Sequence, residues 1–247
     1  MGSTAMKRFL PVVIIAFSLG CDTPGPETGD TSVHALDVVH AARSHIGASG
    51  DFHISNLEVH ANCSGPNGSF DVTLYSDTSG TIRMVHRSNG NRTTLGVHNG
   101  QGWVVDRKSN TPMPADSVTR AFIIGHDLHM IYLDPTTRYG NPLFARDTVF
   151  NNVPVVSVAF KDDFGSDVYM FYSTSDNLPV GMQNIDHSDP KTTEIAVMFD
   201  EWIEQENLTI FTRATFLDGE NVFTYDYDRI VFNRVADSLL ADPFQTD

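Results

Sequence analysis

Cysteine is scarce in this 247-residue chain. Cys21 and Cys63 are the whole complement, too few for a disulfide scaffold. Basic residues are scarce as well: 16 Lys and Arg stand against 31 Asp and Glu, for a formal net charge of −15. Phosphate recognition needs a basic face, so the composition argues against nucleic acid as a partner. It argues equally against adhesion to an anionic membrane by charge alone. No apolar run reaches the roughly 20 residues that span a bilayer as a helix. Catalytic signatures are missing too. There is no Gly-x-Ser-x-Gly elbow, no Gly-rich phosphate loop ahead of a helix, no zinc-helix motif and no calcium-loop spacing. What is present is 40% hydrophobic residues, enough to rule out wholesale disorder. The length suits one all-β domain or two small ones.

The N-terminus reads as a targeting segment. Lys7 and Arg8 precede an uncharged, mostly apolar run from Phe9 to Leu19, about the length of a signal-peptide core. Ser18-Leu19-Gly20-Cys21 then resembles a bacterial lipobox, with Ser18 standing where Leu is usual. The resemblance implies cleavage after Gly20, which makes residues 1–20 a signal peptide. It also implies a lipid on Cys21 that anchors the chain to a membrane of the bacterial envelope, facing the periplasm. Asp22 resembles the inner-membrane retention signal of enteric lipoproteins, and the choice between inner and outer membrane stays open. Residues 21–31 hold a Pro/Gly-rich stretch that reads as a flexible tether, with residues 32–247 as the folded domain. A lipidated Cys21 leaves Cys63 alone, with no acid-base partner nearby in sequence, as a buried structural thiol.

Hydrophobic periodicity organises the rest. Thr31 or Ser32 can cap a helix running to about Ile46, with Ala35, Leu36, Val39, Ala42 and Ile46 on one arc and Gly47 at its end. The period then changes to two. Strands are predicted at Phe52 to Val59, Phe70 to Leu74, Ile82 to His86, Thr93 to Val97 and Trp103 to Val105. Asn-Gly and Ser-Gly turn signals separate them. Pro112 and Pro114 break the series. Asp116 or Ser117 can cap a second helix reaching about Leu133, followed by a long loop from Asp134 to Asp147. Six further strands follow, from Val153 to Phe160, Val168 to Tyr172, Pro179 to Asn184, Glu194 to Glu201, Leu208 to Leu217 and Val222 to Phe232. About eleven strands and two helices without βαβ alternation predict a mainly β (α+β) domain built on one curled antiparallel sheet.

This layout resembles the LolA/LolB-like superfamily of periplasmic lipoprotein carriers and outer-membrane lipoprotein-sorting domains. Three stretches carry the likeness: the opening helix Leu36 to Gly50, the strand Asn99-Gly100-Gln101-Gly102-Trp103-Val104-Val105, and the ending from Asp218 through Tyr227 to Leu239. The resemblance implies an unclosed β-barrel of eleven antiparallel strands, with helices packed as a lid over an apolar interior. It implies non-catalytic binding of acyl chains, phospholipid or lipidated proteins, in lipoprotein sorting or envelope lipid transport, by a monomer without cofactor or metal. An acyl chain gains about 0.8 kcal/mol per methylene on leaving water, and an apolar interior must match that. Candidate lining residues are Trp103, Val156, Val158, Phe160, Ile195, Val197, Phe199, Phe223 and Tyr225. Phe122, Ile124, Leu128 and Ile131 on the second helix are candidates for the lid. Two features depart from a soluble carrier. The expected lipid anchor brings the chain nearer the anchored acceptor type, and the lid-closing Arg of the family has three candidates here: Arg83, Arg87 and Arg92.

Other constellations are weaker. His126 and His129 flank Asp127 like half a metal site, but read better as lid-packing or surface histidines. His34, His40 and His45 share no face and read as solvated. Asp200, Glu201, Glu204 and Glu206 read as a solvated hairpin tip. Two other readings therefore stay open beside the carrier. One is a protein-binding or sensing module on the same fold with a filled core. The other is a hydrolase assembled from distant His and Asp residues.

Overall fold

The computed structural model describes residues 31–48, 53–106, 109–186 and 193–244. Cys21, the signal segment 1–20 and the tether up to residue 30 lie outside the described residues. In chain order, α1 (Thr31–His45) leads into β1 (Asn56–Gly65), β2 (Gly68–Asp77), β3 (Ile82–Ser88), β4 (Asn91–His98), β5 (Gln101–Val105) and β6 (Pro112–Pro114). Three short helices follow, α2 (Ser117–Gly125), α3 (Leu128–Leu133) and α4 (Thr136–Tyr139). Then come β7 (Phe144–Phe150), β8 (Val153–Lys161), β9 (Asp167–Ser173), β10 (Pro179–Asp186), β11 (Thr193–Gln205), β12 (Leu208–Asp218), β13 (Asn221–Phe232) and α5 (Asp237–Leu240).

The strands form one sheet of thirteen in the order β6-β5-β4-β3-β2-β1-β13-β12-β11-β10-β9-β8-β7. Every neighbour in this order is antiparallel. The first and last strands pair, Val59 opposite Ile230 and Cys63 opposite Tyr225. The ladder therefore runs unbroken from β6 round to β7 and stops there, and α2, α3 and α4 occupy the chain between those two edges. This is the curled antiparallel sheet expected from the periodicity, left unclosed as the family resemblance implied.

The two strands beyond the expected eleven are its edges. β6 is three residues long and contains both prolines, which a sheet tolerates where no neighbour needs the missing N–H. β7 carries Arg146 and Asp147 in its middle, charges that suit an edge strand but interrupt an apolar alternation. The second predicted helix is also divided. α2 is capped by Asp116, whose carboxylate accepts from the Thr119 N–H at 2.8 Å. The Thr119 side chain, and then its backbone N–H, hold the Asp116 pKa below the usual carboxylate range. The helix ends at His126, where the chain turns so that the Asp127 carboxylate faces a buried partner.

α1 buries Ala35, Val39, Ala42 and Ile46 against the sheet, and leaves His34, His40 and His45 exposed. Its end is a Schellman motif: Ala48 N–H bonds Arg43 O at 2.9 Å and Gly47 N–H bonds Ser44 O at 3.3 Å, with Gly47 at φ +82°. A methyl group on Gly47 would overlap the Asn207 carbonyl oxygen of the β11–β12 turn. Gly47→Ala is therefore expected to destabilise the fold by more than the roughly 1–2 kcal/mol of a left-handed backbone alone. Urea unfolding checks it, and a loss under 0.5 kcal/mol would contradict this account.

Candidate functional site

The inner face of the sheet and the helices in its gap enclose one apolar cluster. Val158, Phe160, Val197, Phe199 and Tyr225 all lie in it, together with Leu128 and Ile131. Ile124, Val156, Ile195 and Phe223 are partly buried against it. Two of the candidate residues stand elsewhere. Phe122 is 50% exposed on the outside of α2. Trp103 is buried on the opposite face of the sheet. Its neighbour Val104 packs on the inner cluster, and the indole covers Gly96, its partner across the ladder, where any Cβ would collide with the ring. Alternation alone could not say which side of β5 faces inward. The glycine opposite Trp103 is the signal that does.

The helices divide their work in a way the sequence does not show. α3 is buried on every side, from Leu128 through His129, Met130, Ile131 and Tyr132 to Leu133. It fills the inside of the curl instead of covering it. The Tyr132 hydroxyl donates to Thr209 O at 2.8 Å, and the ring meets Phe199 and Phe211 edge-on. α2 is the actual cover. It buries Ile123 beneath it, yet leaves Val118 at 77% and Phe122 at 50% exposure on its outer side. A helix apolar around its circumference is ordinarily covered on more than one face.

A row of rings runs from this cover into the interior. Phe122 lies over His126 with centroids 4.0 Å apart, His126 stacks on Phe216 at 5.1 Å, and Tyr225 joins both, 4.7 Å from Phe216. Phe70 meets Tyr225 edge-on at 5.7 Å and His86 at 4.9 Å. The His126 Nδ1–H donates to Phe122 O at 2.7 Å, so Nε2 accepts from the Tyr225 hydroxyl at 3.3 Å. Enclosure by these rings pushes the His126 pKa down to about 4, with His86 nearby acting in the same direction. His129 is deeper, 1% exposed. It stacks on Phe211 at 4.1 Å and donates from Nε2 to Phe211 O at 3.1 Å, while its Nδ1 has no partner. Burial pushes its pKa down to about 3. The two histidines are thus neutral packing groups. Among the described residues, no group of three or more His, Cys, Asp or Glu is placed to hold a metal ion. Cys63 is a buried free thiol whose pKa burial drives well up, so it does not ionise near neutrality.

The helices are held by Arg138, a residue outside the three arginines considered from sequence. Its Nη2 lies 2.5 Å from Asp127 Oδ2 and its Nε 2.8 Å from the same oxygen. Nη2 also donates to Asp77 O at 2.8 Å, and Ser76 Oγ donates to Asp127 Oδ1 at 2.9 Å. Side-chain exposures of 3% and 0% make this a buried ion pair, tying α3 and α4 to the end of β2. Arg120 fixes α2 separately, pairing with Asp163 and lying 5.2 Å over the Phe164 ring. Of the three arginines first considered, Arg87 pairs with Asp71 at 2.9 Å, on β2 and β3 away from the helices.

The rest of the polar chemistry lies on the outer face. His60 Nδ1 sits 2.5 Å from Asp228 Oδ1 and its Nε2 3.6 Å from Asp71 Oδ1, so its partners are two carboxylates. The hydrogen bond from His60 holds the Asp228 pKa below the usual range. The 3.6 Å separation from Asp71 is too long for a hydrogen bond, so Nδ1 alone is bonded to a carboxylate. Asp200, Glu201 and Glu204 lie within β11, and only Glu206 falls in the turn. Glu201, at φ +59°, and Thr212 drop out of the ladder together, between Asp200 opposite Arg213 and Trp202 opposite Phe211, and the register continues without a shift. Trp202 packs against the inner cluster.

No family model matches the sequence, and no curated protein matches it. Solved structures do share its fold. A LolA superfamily protein from Nitrosomonas europaea superposes with a TM-score of 0.61 at 11% identity, covering 85% of this chain and 99% of that one. A DUF1329 family protein from Desulfovibrio piger gives 0.59 at 11% identity, covering 86% and 98%. A chain described as an outer membrane lipoprotein-sorting protein domain from Vibrio parahaemolyticus gives 0.53 at 10% identity, covering 84% and 100%. The chain has a LolA-like fold.

Proposed function

We propose that the protein is a non-catalytic, lipid-anchored envelope protein of the carrier or acceptor type, which takes up an acyl chain of a lipid or lipidated protein beneath α2. The observation that carries this reading is α2 itself, an apolar helix with Val118 and Phe122 left uncovered above a row of aromatic rings. The closed interior does not forbid uptake on energetic grounds. Exposing Leu128, Met130, Ile131 and Leu133 of α3 costs about 6–12 kcal/mol at 1.5–3 kcal/mol per side chain. A chain of about 14 methylenes returns ~11 kcal/mol at 0.8 kcal/mol each. The two are comparable for a chain taken up from water, the state in which free palmitate is offered. The anchor on Cys21 would keep the domain at the membrane surface.

A second reading has its own observation. Every residue of α3 is buried, as a protein-binding module with a permanent core would require. Native mass spectrometry of the full chain with added palmitate separates the two. The carrier reading expects a bound palmitate that Phe122→Glu weakens at least tenfold, with the fold intact because Phe122 is half exposed. Absence of uptake by the unaltered chain would sink it in favour of the filled core. The intact mass from membranes would report the Cys21 lipid in the same experiment.

A further inference from the structure

One sector of the domain differs from the rest in charge. From Thr78 to Val105 the sequence holds no Asp or Glu, in a chain with 31 of them. Those residues build β3, β4 and β5. Arg83, Arg87 and Arg92 share the outer face there: Arg83 stands opposite Gly96, in the row of Trp103, and Arg87 stands directly opposite Arg92. Like charges directly opposite in a ladder are unfavourable unless a counter-charge lies near. Asp71 supplies one for Arg87 at 2.9 Å, while Arg92 is exposed and pairs with no carboxylate among the described residues. The Arg83 Nε is buried without a partner. The same sector carries apolar surface. Of the ten large apolar side chains exposed among the described residues, three fall between Met113 and Phe122, namely Met113, Val118 and Phe122. The row of Arg83, Gly96 and Trp103 continues to Pro114 on β6. At about 4.8 Å per strand, β4 and β3 therefore stand roughly 10 and 14 Å behind that edge. Ala115 N–H donates to Gly102 O at 2.8 Å and holds the lead into α2 against β5. Asp116 is the single carboxylate from Pro112 to Gly125.

We propose that this sector is the side of the domain that rests on an anionic bilayer, with the β6 edge leading. Met113, Val118 and Phe122 enter the interface, and the long arginine side chains of β3 and β4 reach forward to lipid phosphates. This rests on the Cys21 anchor in the function proposed above, and not on acyl-chain uptake. Ten residues lead from Cys21 to the start of α1 at Thr31, a reach of at most about 35 Å. A domain on such a tether meets the surface at high effective concentration. Contacts too weak to recruit it from solution then still decide which side faces the membrane. Charge makes that choice. The net −15 opposes an anionic surface on most sides, and the opposition is least where the acid-free strands come forward. The exposed apolar residues of β6 and α2 lie at that same edge, where the interface accepts them.

The test is amide hydrogen exchange of the full lipidated chain on nanodiscs, with the full Cys21→Ser chain free in buffer as reference. Discs of phosphatidylglycerol are compared with discs of phosphatidylcholine. Peptides covering Met113 to Phe122 are expected to exchange about fivefold more slowly on the anionic discs, the effect of roughly one arginine at the surface. The double variant Arg83→Gln, Arg92→Gln should abolish that difference. Arg92→Gln alone, at an exposed position, should reduce it with an unchanged urea midpoint. Equal protection on both discs would overturn the proposal, as would protection confined to another edge of the sheet or none anywhere. Protection of the Cys21→Ser chain that grows with its concentration would overturn it in favour of a second copy. An intact mass without lipid on Cys21 would overturn the anchor and the docking together. Protection on the anionic discs without palmitate uptake would uphold the docking and sink the carrier alone.

Discussion

Replacing Arg138 by Met is expected to lower the unfolding free energy by about 3–5 kcal/mol, the cost of leaving one partner of a buried ion pair unpaired. The Asp127 carboxylate is fully buried and would lose both guanidinium contacts, keeping only the Ser76 hydroxyl. Asp77 O would lose the shorter of its two hydrogen bonds at the same time, keeping the Gly80 N–H at 3.3 Å. The double variant Asp127→Leu, Arg138→Met distinguishes a buried charge from a packing defect. Removing both charges abolishes the uncompensated carboxylate, so most of the loss should return. If the double variant is as unstable as the single one, the pair matters through shape and not through charge. The experiment also bears on function. Asp127 begins α3 and Arg138 ends in α4, so the pair fixes the segment that must move if an acyl chain is to enter. Loss of the pair should then raise palmitate uptake as stability falls, whereas in a filled-core module only stability would change.

How far the sequence carries the fold depends on what sets each element. β8, β12 and β13 lie within a residue or so of where alternation places them, because one face of each is buried in the common core. The edges β6 and β7 escape that logic. They bury one side only partly, so prolines and charges are tolerated where a central strand would exclude them. The division between α2 and α3 is not local either. Nothing in the spacing of Ala121, Ile124, Leu128 and Ile131 interrupts a helix, and the break answers to Arg138, eleven residues beyond Asp127. Most of the interior residues were legible because apolar period-two residues must face the core. Whether that core is open was not, since filling it falls to α3, whose sequence looks like a cover. The one lining candidate on the wrong face, Trp103, is placed by Gly96 across the ladder, a pairing that depends on register.

Acidification below pH 6.5 is expected to destabilise the protein steadily, before its carboxylates titrate. His126 and His129 are held neutral in the folded state with pKa values of about 4 and about 3, against about 6.5 in the unfolded chain. The unfolded state therefore binds protons first as pH falls. The stability these groups contribute is complete above pH 6.5, and is lost down to about pH 4 for His126 and about pH 3 for His129. Each group can remove up to about 1.4 kcal/mol per pH unit. His129 is buried outright and acts at close to that slope, while His126, nearer the surface, contributes less. Between pH 6.5 and 5 the combined loss comes to roughly 2–4 kcal/mol, a large share of the 5–15 kcal/mol typical of a folded protein. His126→Asn and His129→Gln keep a donor near Nδ1 and Nε2 respectively, so the bonds to Phe122 O and Phe211 O are preserved without the titration. Urea midpoints of the double variant should be nearly flat over this range while those of the unaltered protein fall. Parallel slopes for the two would mean that other groups carry the pH dependence. Protonation also bears on the cover, since His126 joins Phe122 of α2 to Phe216 and Tyr225 of the sheet. A charged imidazole there would be expelled toward water and take the end of α2 with it, so acidification should loosen α2 before it unfolds the sheet.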